Sequence, residues 1–160
     1  MHLPEIRALR SEDLSWILKA HVEFYSTAHR FDDSFGALVA ELLDQFDQTH
    51  DPACEAAWVA WDGSRRLGCI FCVQETAHIA RLRMFLIVPE AQGQGLGSAL
   101  LQRCMGFART HGYSEMVLGT HESHEAACAL YKKTGWQMET TGPVISFGQS
   151  LIEQTWRYRF

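Results

Sequence analysis

The sequence predicts an α/β fold of the α+β kind, a sheet covered by helices. Three observations carry this. The apolar segment Met84-Phe85-Leu86-Ile87-Val88, closed by Pro89, runs into Gln92-Gly93-Gln94-Gly95-Leu96-Gly97. Apolar residues then recur at helical spacing at Leu96, Ala99, Leu100, Cys104, Phe107 and Ala108, so the stretch reads as strand, glycine turn and helix. Upstream, Phe35, Leu38, Val39, Leu42, Leu43 and Phe46 form a 3.6-period stripe. Between these lie two apolar runs separated by a turn signal, which read as a hairpin. The 160 residues suffice for one domain, 1–160, with its own core.

Taken in order, residues 6–10 form a short first strand. Ser11 stands at a helix start, with Glu12 and Asp13 in the first turn where acids oppose the dipole. Leu14, Ile17, Leu18, Val22 and Tyr25 follow at helical spacing, with His21 on or near that face as a core histidine. Phe31-Asp32-Asp33-Ser34 breaks this pattern, and the stripe from Phe35 restarts it until Thr49-His50-Asp51-Pro52. Ala57-Trp58-Val59-Ala60-Trp61 and Gly68-Cys69-Ile70-Phe71-Cys72-Val73 flank the turn Asp62-Gly63-Ser64. Residues 78–88 form the strand entering the glycine turn. Arg81 and Arg83 make its first part polar on one face, while its second part is apolar throughout, as in a strand covered on both sides. Gly112 ends the following helix. Met116-Val117-Leu118 is a buried strand, 126–133 a short helix, and 136–140 and 155–158 the final strands.

Composition narrows the function. Hydrophobic residues at 47% and charged residues at 21% are ordinary globular values. No apolar run approaches the ~20 residues of a membrane span, and the first residues lack the basic and apolar regions of a signal peptide, so a cytoplasmic protein is expected. A net charge of −5 argues against a nucleic-acid surface. Of the five cysteines only Cys69 and Cys72 have motif spacing, and on a strand they face opposite sides. With no second such pair, no metal site is expected, and the thiols read as reduced core residues.

The glycine turn is the chemical signal. It leaves backbone N–H groups unpaired at a helix start, where the macrodipole adds roughly half a positive charge. Glycines let a ligand approach the backbone, and the sum is an anion site. A P-loop needs Gly-Lys-Ser/Thr, and no lysine is present. The dinucleotide fingerprint needs a third glycine where Ser98 stands. The pattern that fits is Q/R-x-x-G-x-G/A, met by Gln92, Gly95 and Gly97. Together with Ala127-x-x-Leu130-Tyr131-x-x-x-Gly135-Trp136, it resembles the GNAT superfamily of acetyl-CoA-dependent N-acetyltransferases.

That resemblance implies a mixed, mostly antiparallel central sheet of about seven strands with helices on both faces. It implies acetyl-CoA as co-substrate. The backbone of Gln92, Gly93, Gln94, Gly95, Leu96, Gly97 and Ser98 would hold the pyrophosphate, and the backbone of Phe85, Leu86 and Ile87 the pantetheine arm and acetyl carbonyl. Tyr131 would be the general acid; a phenol of pKa ~10 is protonated at pH 7 and can give its proton to a departing thiolate. Many members carry Asn where this chain has His124, so that coenzyme contact is not carried over. The general base varies within the family, and His121 and Glu122 are the candidates here, each open to a plain reading as a loop residue. His121-Glu122-Ser123-His124-Glu125 is not a zinc HExxH, because its last position is Glu.

The flanks, including Phe24-Tyr25, His29, Phe31-Asp32 and Ser146-Phe147-Gly148, resemble the acetyltransferase half of bacterial MarR–GNAT fusion proteins. In the superfamily the first helices and last hairpin wall the acceptor pocket, which makes Tyr25, His29, Asp32 and Phe147 the substrate-side candidates. The plain readings are core packing for Phe147 and a helix cap for Asp32. The expected partner is a small-molecule or peptide amine, with no nucleic acid and no membrane; a homodimer is left open. The alternative function is a sensor or regulatory module that holds acetyl-CoA or CoA without catalysis.

Overall fold

The computed structural model describes residues 4–160. Strand β1 (Glu5–Ala8) leads through a single 3-10 turn (Ser11–Asp13) into helices α1 (Leu14–Ala28) and α2 (Asp33–Thr49). Strands β2 (Ala56–Trp61), β3 (Arg66–Gln74) and β4 (Ile79–Ile87) follow, then α3 (Leu96–Thr110), β5 (Glu115–His121), α4 (Glu125–Lys133), β6 (Gln137–Ser146) and β7 (Gln149–Arg159). The expected element order is observed throughout.

The strands form one seven-stranded sheet in the order β1-β2-β3-β4-β5-β7-β6. Only β4 and β5 pair in parallel; the other five pairs are antiparallel. Both faces are covered. Ile17 and Ala20 of α1 and Val39, Leu43 and Phe46 of α2 pack on one face with Val59, Cys69 and Phe71. Leu100, Leu101, Cys104 and Ala108 of α3 pack on the other with Ile70, Cys72 and Leu82. Cys69 and Cys72 thus enter opposite layers. His21 is a core histidine, its Nδ1–H donating to Ile17 O at 2.8 Å.

Two sequence expectations are corrected. Ser11 does not cap the first helical turn; Asp13 reaches back to accept the Arg10 N–H at 2.7 Å. Asp13 is fully buried and pairs with Arg7 at 2.8 Å and Arg66 at 2.7 Å, which ties the start of α1 to β1 and β3. Burial alone would raise its carboxyl; the bonds from Arg7 and Arg66 outweigh this and hold it well below the usual range. The final strands are also far longer than 136–140 and 155–158. Their added parts carry polar and apolar residues on a mostly exposed hairpin held by backbone pairing, so no apolar run marks them. β6 is the outer strand, where Pro143 is tolerated.

Two irregularities in β4 shape the centre. Cys69 pairs with Leu86 and Phe71 with Arg83, so β4 carries one extra residue, a bulge at which Met84 has φ +49°. Ala80 and Leu82 face α3, and past the bulge so do Phe85 and Ile87, while Met84 and Leu86 face α1 and α2. In addition β4 pairs with β5 only from Ile79 to Arg81. Beyond that point the two strands part. Among the described residues no helix is long and apolar enough to cross a membrane.

Candidate active site

The parting of β4 and β5 opens the sheet at its centre. A strand that loses its neighbour exposes a row of N–H and C=O groups, and Leu82 to Ile87 present such an edge toward β5. One cleft lies on the α3 side of the opening and one cavity on the α1–α2 side.

The cleft, of about 240 Å³, is lined by Phe85, Leu86, Ile87, Gln92, Gly93, Leu96 and Gly97, and by Phe24, His124, Ala127 and Leu130. Of the residues expected around the glycine turn, Gln94, Gly95 and Ser98 do not line it. Gly93 (φ +77°) and Gly95 (φ +84°) are left-handed, which makes the turn possible. The first α3 backbone bond runs from Ala99 N–H to Gly95 O at 3.1 Å. The N–H groups of Leu96, Gly97 and Ser98 therefore find no acceptor within the helix. The Gln92 side chain donates to Ile87 O at 3.2 Å and ties the turn to the end of β4. Gly68 permits the same closeness from β3, since a Cβ there would lie 2.6 Å from Leu86 O.

The cavity, of about 380 Å³, is lined by His21, Tyr25, Phe35, Arg81, Arg83, Phe85, Gly119, Thr120, His124 and Tyr131, with Leu38, Val39 and Leu42 of α2. Phe85 and His124 line both spaces and form the wall between them. Tyr131 is 3% exposed, its ring packed near Phe85, Trp136 and Trp156. Burial pushes its phenol well above the usual range, so it keeps its proton at any physiological pH. The Tyr25 hydroxyl lies 3.2 Å from His124 Nδ1. Burial, with His29, His121 and His21 nearby, lowers His124 to about 4, so its imidazole is neutral.

The four substrate-side candidates meet at one end of the molecule. Tyr25 stacks on His29 and Phe31, and Phe147 at the β6–β7 turn packs on Phe31 and Phe35. Asp32 N–H donates to Phe147 O at 2.9 Å, which fastens the hairpin tip to the α1–α2 junction. Of the four only Tyr25 lines the cavity. Asp32 caps α2, accepting Ser34 N–H at 3.0 Å. His29 Nδ1 lies 3.4 Å from Ser123 Oγ. His121 is half-buried behind this cluster near Phe31 and Phe147, and burial lowers its pKa. Glu122 is exposed, lines neither space, and is held by its backbone N–H to Ile152 O at 2.8 Å. Among the described residues no three His, Cys, Asp or Glu side chains are arranged to hold a metal.

Residues 15–136 match the model of the acetyltransferase (GNAT) family. The chain belongs to that family. It is 34% identical over 86 residues to N-alpha-acetyltransferase 30 of Schizosaccharomyces pombe, covering 51% of this chain and 57% of that protein. The chain spans about half the length of the curated relatives it matches. Its fold matches an acetyltransferase from Streptococcus agalactiae with a TM-score of 0.81 at 17% identity, over 98% of each chain. It also matches yncA of Salmonella typhimurium, solved with its cofactor acetyl-CoA, with a TM-score of 0.76 at 19% identity, over 98% of this chain and 93% of that one.

Sequence reading missed several parts of this GNAT site. Phe24 is among the flanking residues that carry the resemblance, but its place in the cleft and the Met84 bulge carry no sequence signal, because only tertiary packing sets them. His124 stood out as a departure from the family, yet nothing in sequence pairs it with Tyr25, 99 residues away. Gly68, an isolated glycine within a strand pattern, is a legible sign of close approach between β3 and β4.

Proposed function

We propose that this chain transfers an acetyl group from acetyl-CoA directly to an amine. The observation that supports it best is the open β4 edge, with the glycine turn at one end and Tyr131 and His124 beside it. The turn offers free N–H groups to a pyrophosphate. The unpaired edge of β4 offers backbone bonds to an extended arm in the manner of an added strand. Phe85 would carry the acetyl carbonyl at the passage between the two spaces.

In the transfer, the amine nitrogen bonds to the carbonyl carbon and the carbon–sulfur bond breaks. Tyr131 gives its phenolic proton to the departing thiolate. A free primary amine of pKa ~10.4 is neutral about once in 10³ at pH 7; it reacts in that neutral form, and a group in the cavity takes the proton its nitrogen sheds after attack. Glu122 lines neither space, and His121 stands behind the aromatic cluster. His124 is the imidazole at the wall between cleft and cavity. In the tautomer that donates Nδ1–H to the Tyr25 oxygen, its Nε2 keeps a lone pair and can accept a proton. The nitrogen grows more acidic once bonded to the carbonyl carbon, so a weakly basic imidazole suffices.

The alternative, a module that holds the coenzyme without transfer, is not favoured, since the matched relatives are named as acetyltransferases. The likeness of the flanks to MarR–GNAT fusion proteins stays part of this reading, as does a cytoplasmic setting; the comparisons match the GNAT part alone. The test is release of free thiol from acetyl-CoA against a panel of amines. Tyr131→Phe is expected to lower kcat by roughly 10²-fold or more. Unchanged turnover in that variant would remove Tyr131 from the mechanism, and an absence of turnover with every amine would remove the activity.

A further inference from the structure

Five arginines among the described residues are half-buried: Arg7, Arg66, Arg81, Arg83 and Arg157. Four have a carboxylate within 2.8 Å: Arg7 and Arg66 share Asp13, Arg81 pairs with Glu75, and Arg157 with Glu115 and Glu139. Arg83 has none among the described residues. The nearest acids are committed elsewhere. Glu75 is taken by Arg81 at 2.7 Å, and Glu55 accepts the N–H groups of Asp51 and Gln74 at 2.8 and 2.9 Å. A partly buried guanidinium without a counter-ion has given up some of its hydration with no pairing in return.

Its position gives that charge a use. Arg83 lines the same cavity as Tyr131, His124 and Phe85, on the face of β4 turned toward α2. On its α2 side the cavity is apolar, lined by Leu38, Val39 and Leu42, and Met84 of β4 adds to that wall. A single residue, the bulged Met84, separates Arg83 from Phe85 along the strand.

Building on the acetyl-transfer reading above, we infer that the acceptor is an amine carrying an anionic group, which pairs with Arg83 while the amine lies at Phe85. The arginine fork suits a carboxylate or a phosphate-type group equally, both planar or tripodal oxygen anions taken by two N–H bonds. The apolar α2 side of the cavity suits a short hydrocarbon spacer. Burial and the neighbouring Arg81 lower the Arg83 pKa, as expected for a cation awaiting a partner.

The test uses matched amines: δ-aminovalerate, its phosphonate analogue and its neutral amide, each with acetyl-CoA. The wild-type protein is expected to favour a charged amine over the amide in kcat/KM, mainly through KM. Which of the two charged amines is favoured tells carboxylate from phosphate-type recognition. Arg83→Gln is expected to cut that preference roughly 10- to 100-fold, the range of one charge-assisted pair. Arg83→Lys should restore part of it. Melting curves with and without CoA identify a variant that fails to fold; in that event the wild-type preference decides alone. A wild-type protein that uses the amide as well as the charged amines, or an Arg83→Gln variant that keeps the preference, overturns the anion site while leaving acetyl transfer intact. If no amine turns over, calorimetric binding of δ-aminovalerate to the CoA-loaded protein decides: binding lost in Arg83→Gln supports the site, and absent binding overturns it.

Discussion

The two sides of the opened sheet are built from different materials. On the α3 side the site is backbone: a turn of left-handed glycines, three N–H groups at a helix start, and the edge of a bulged strand. On the α1–α2 side it is side chains: Tyr25, Arg83, His124 and Tyr131, drawn from α1, β4, the approach to α4 and α4 itself. A backbone site takes a ligand whose shape is constant, whatever residues flank it. A side-chain site can be changed residue by residue, and suits the partner that differs from one family member to the next. Both sides share Phe85 and His124, so the constant and the variable halves meet at a single wall.

Acid should separate the halves most strongly. His21 and His124 both titrate near 4 in the folded protein, driven down from 6.5 by burial. The unfolded chain therefore binds more protons between pH 6.5 and 4, and stability falls as pH drops through that window; above it neither histidine contributes. For His21 the loss amounts to about 3 kcal/mol at the lower end, and somewhat less for His124. The paired carboxylate of Asp13 acts only below its ordinary value of 3.8, outside the window. Denaturant unfolding from pH 7.5 to 4.5 reads this directly. A flat profile, or an unaltered slope in His124→Gln, would show that these imidazoles are solvated.

The backbone half is tested by contrast between glycine and side chain. Gly95→Val forces a β-branched residue to φ +84° and should raise the KM for acetyl-CoA roughly tenfold or more. Gln94→Ala and Ser98→Ala remove side chains that line neither space and should change it by about twofold at most. Equal effects from all three would mean that side chains hold the coenzyme after all. The smallest effect concerns the frame of the variable half. Asp32→Ala removes the α2 cap and should cost about 1 kcal/mol of stability, seen as a lower Tm. A loss of activity far beyond that would return Asp32 to the acceptor site.

What the chain's order of residues determined by itself is local. The 3.6-period stripes set α1, α2 and α3, the turn at Asp62 set the β2–β3 hairpin, and the glycines of 92–97 with Tyr131 marked the family, because each depends on neighbours a few residues apart. Tertiary structure decided the rest. Where β4 parts from β5, the bulge at Met84, the full length of β6 and β7, the fastening of Asp32 to Phe147 and the exposure of Glu122 all depend on strands and helices far apart in the chain. Arg83 shows the division well. Its place on the polar face of a strand was legible from alternation, but its lack of a counter-ion was not, since that depends on where Glu75 and Glu55 spend their oxygens once the sheet has formed.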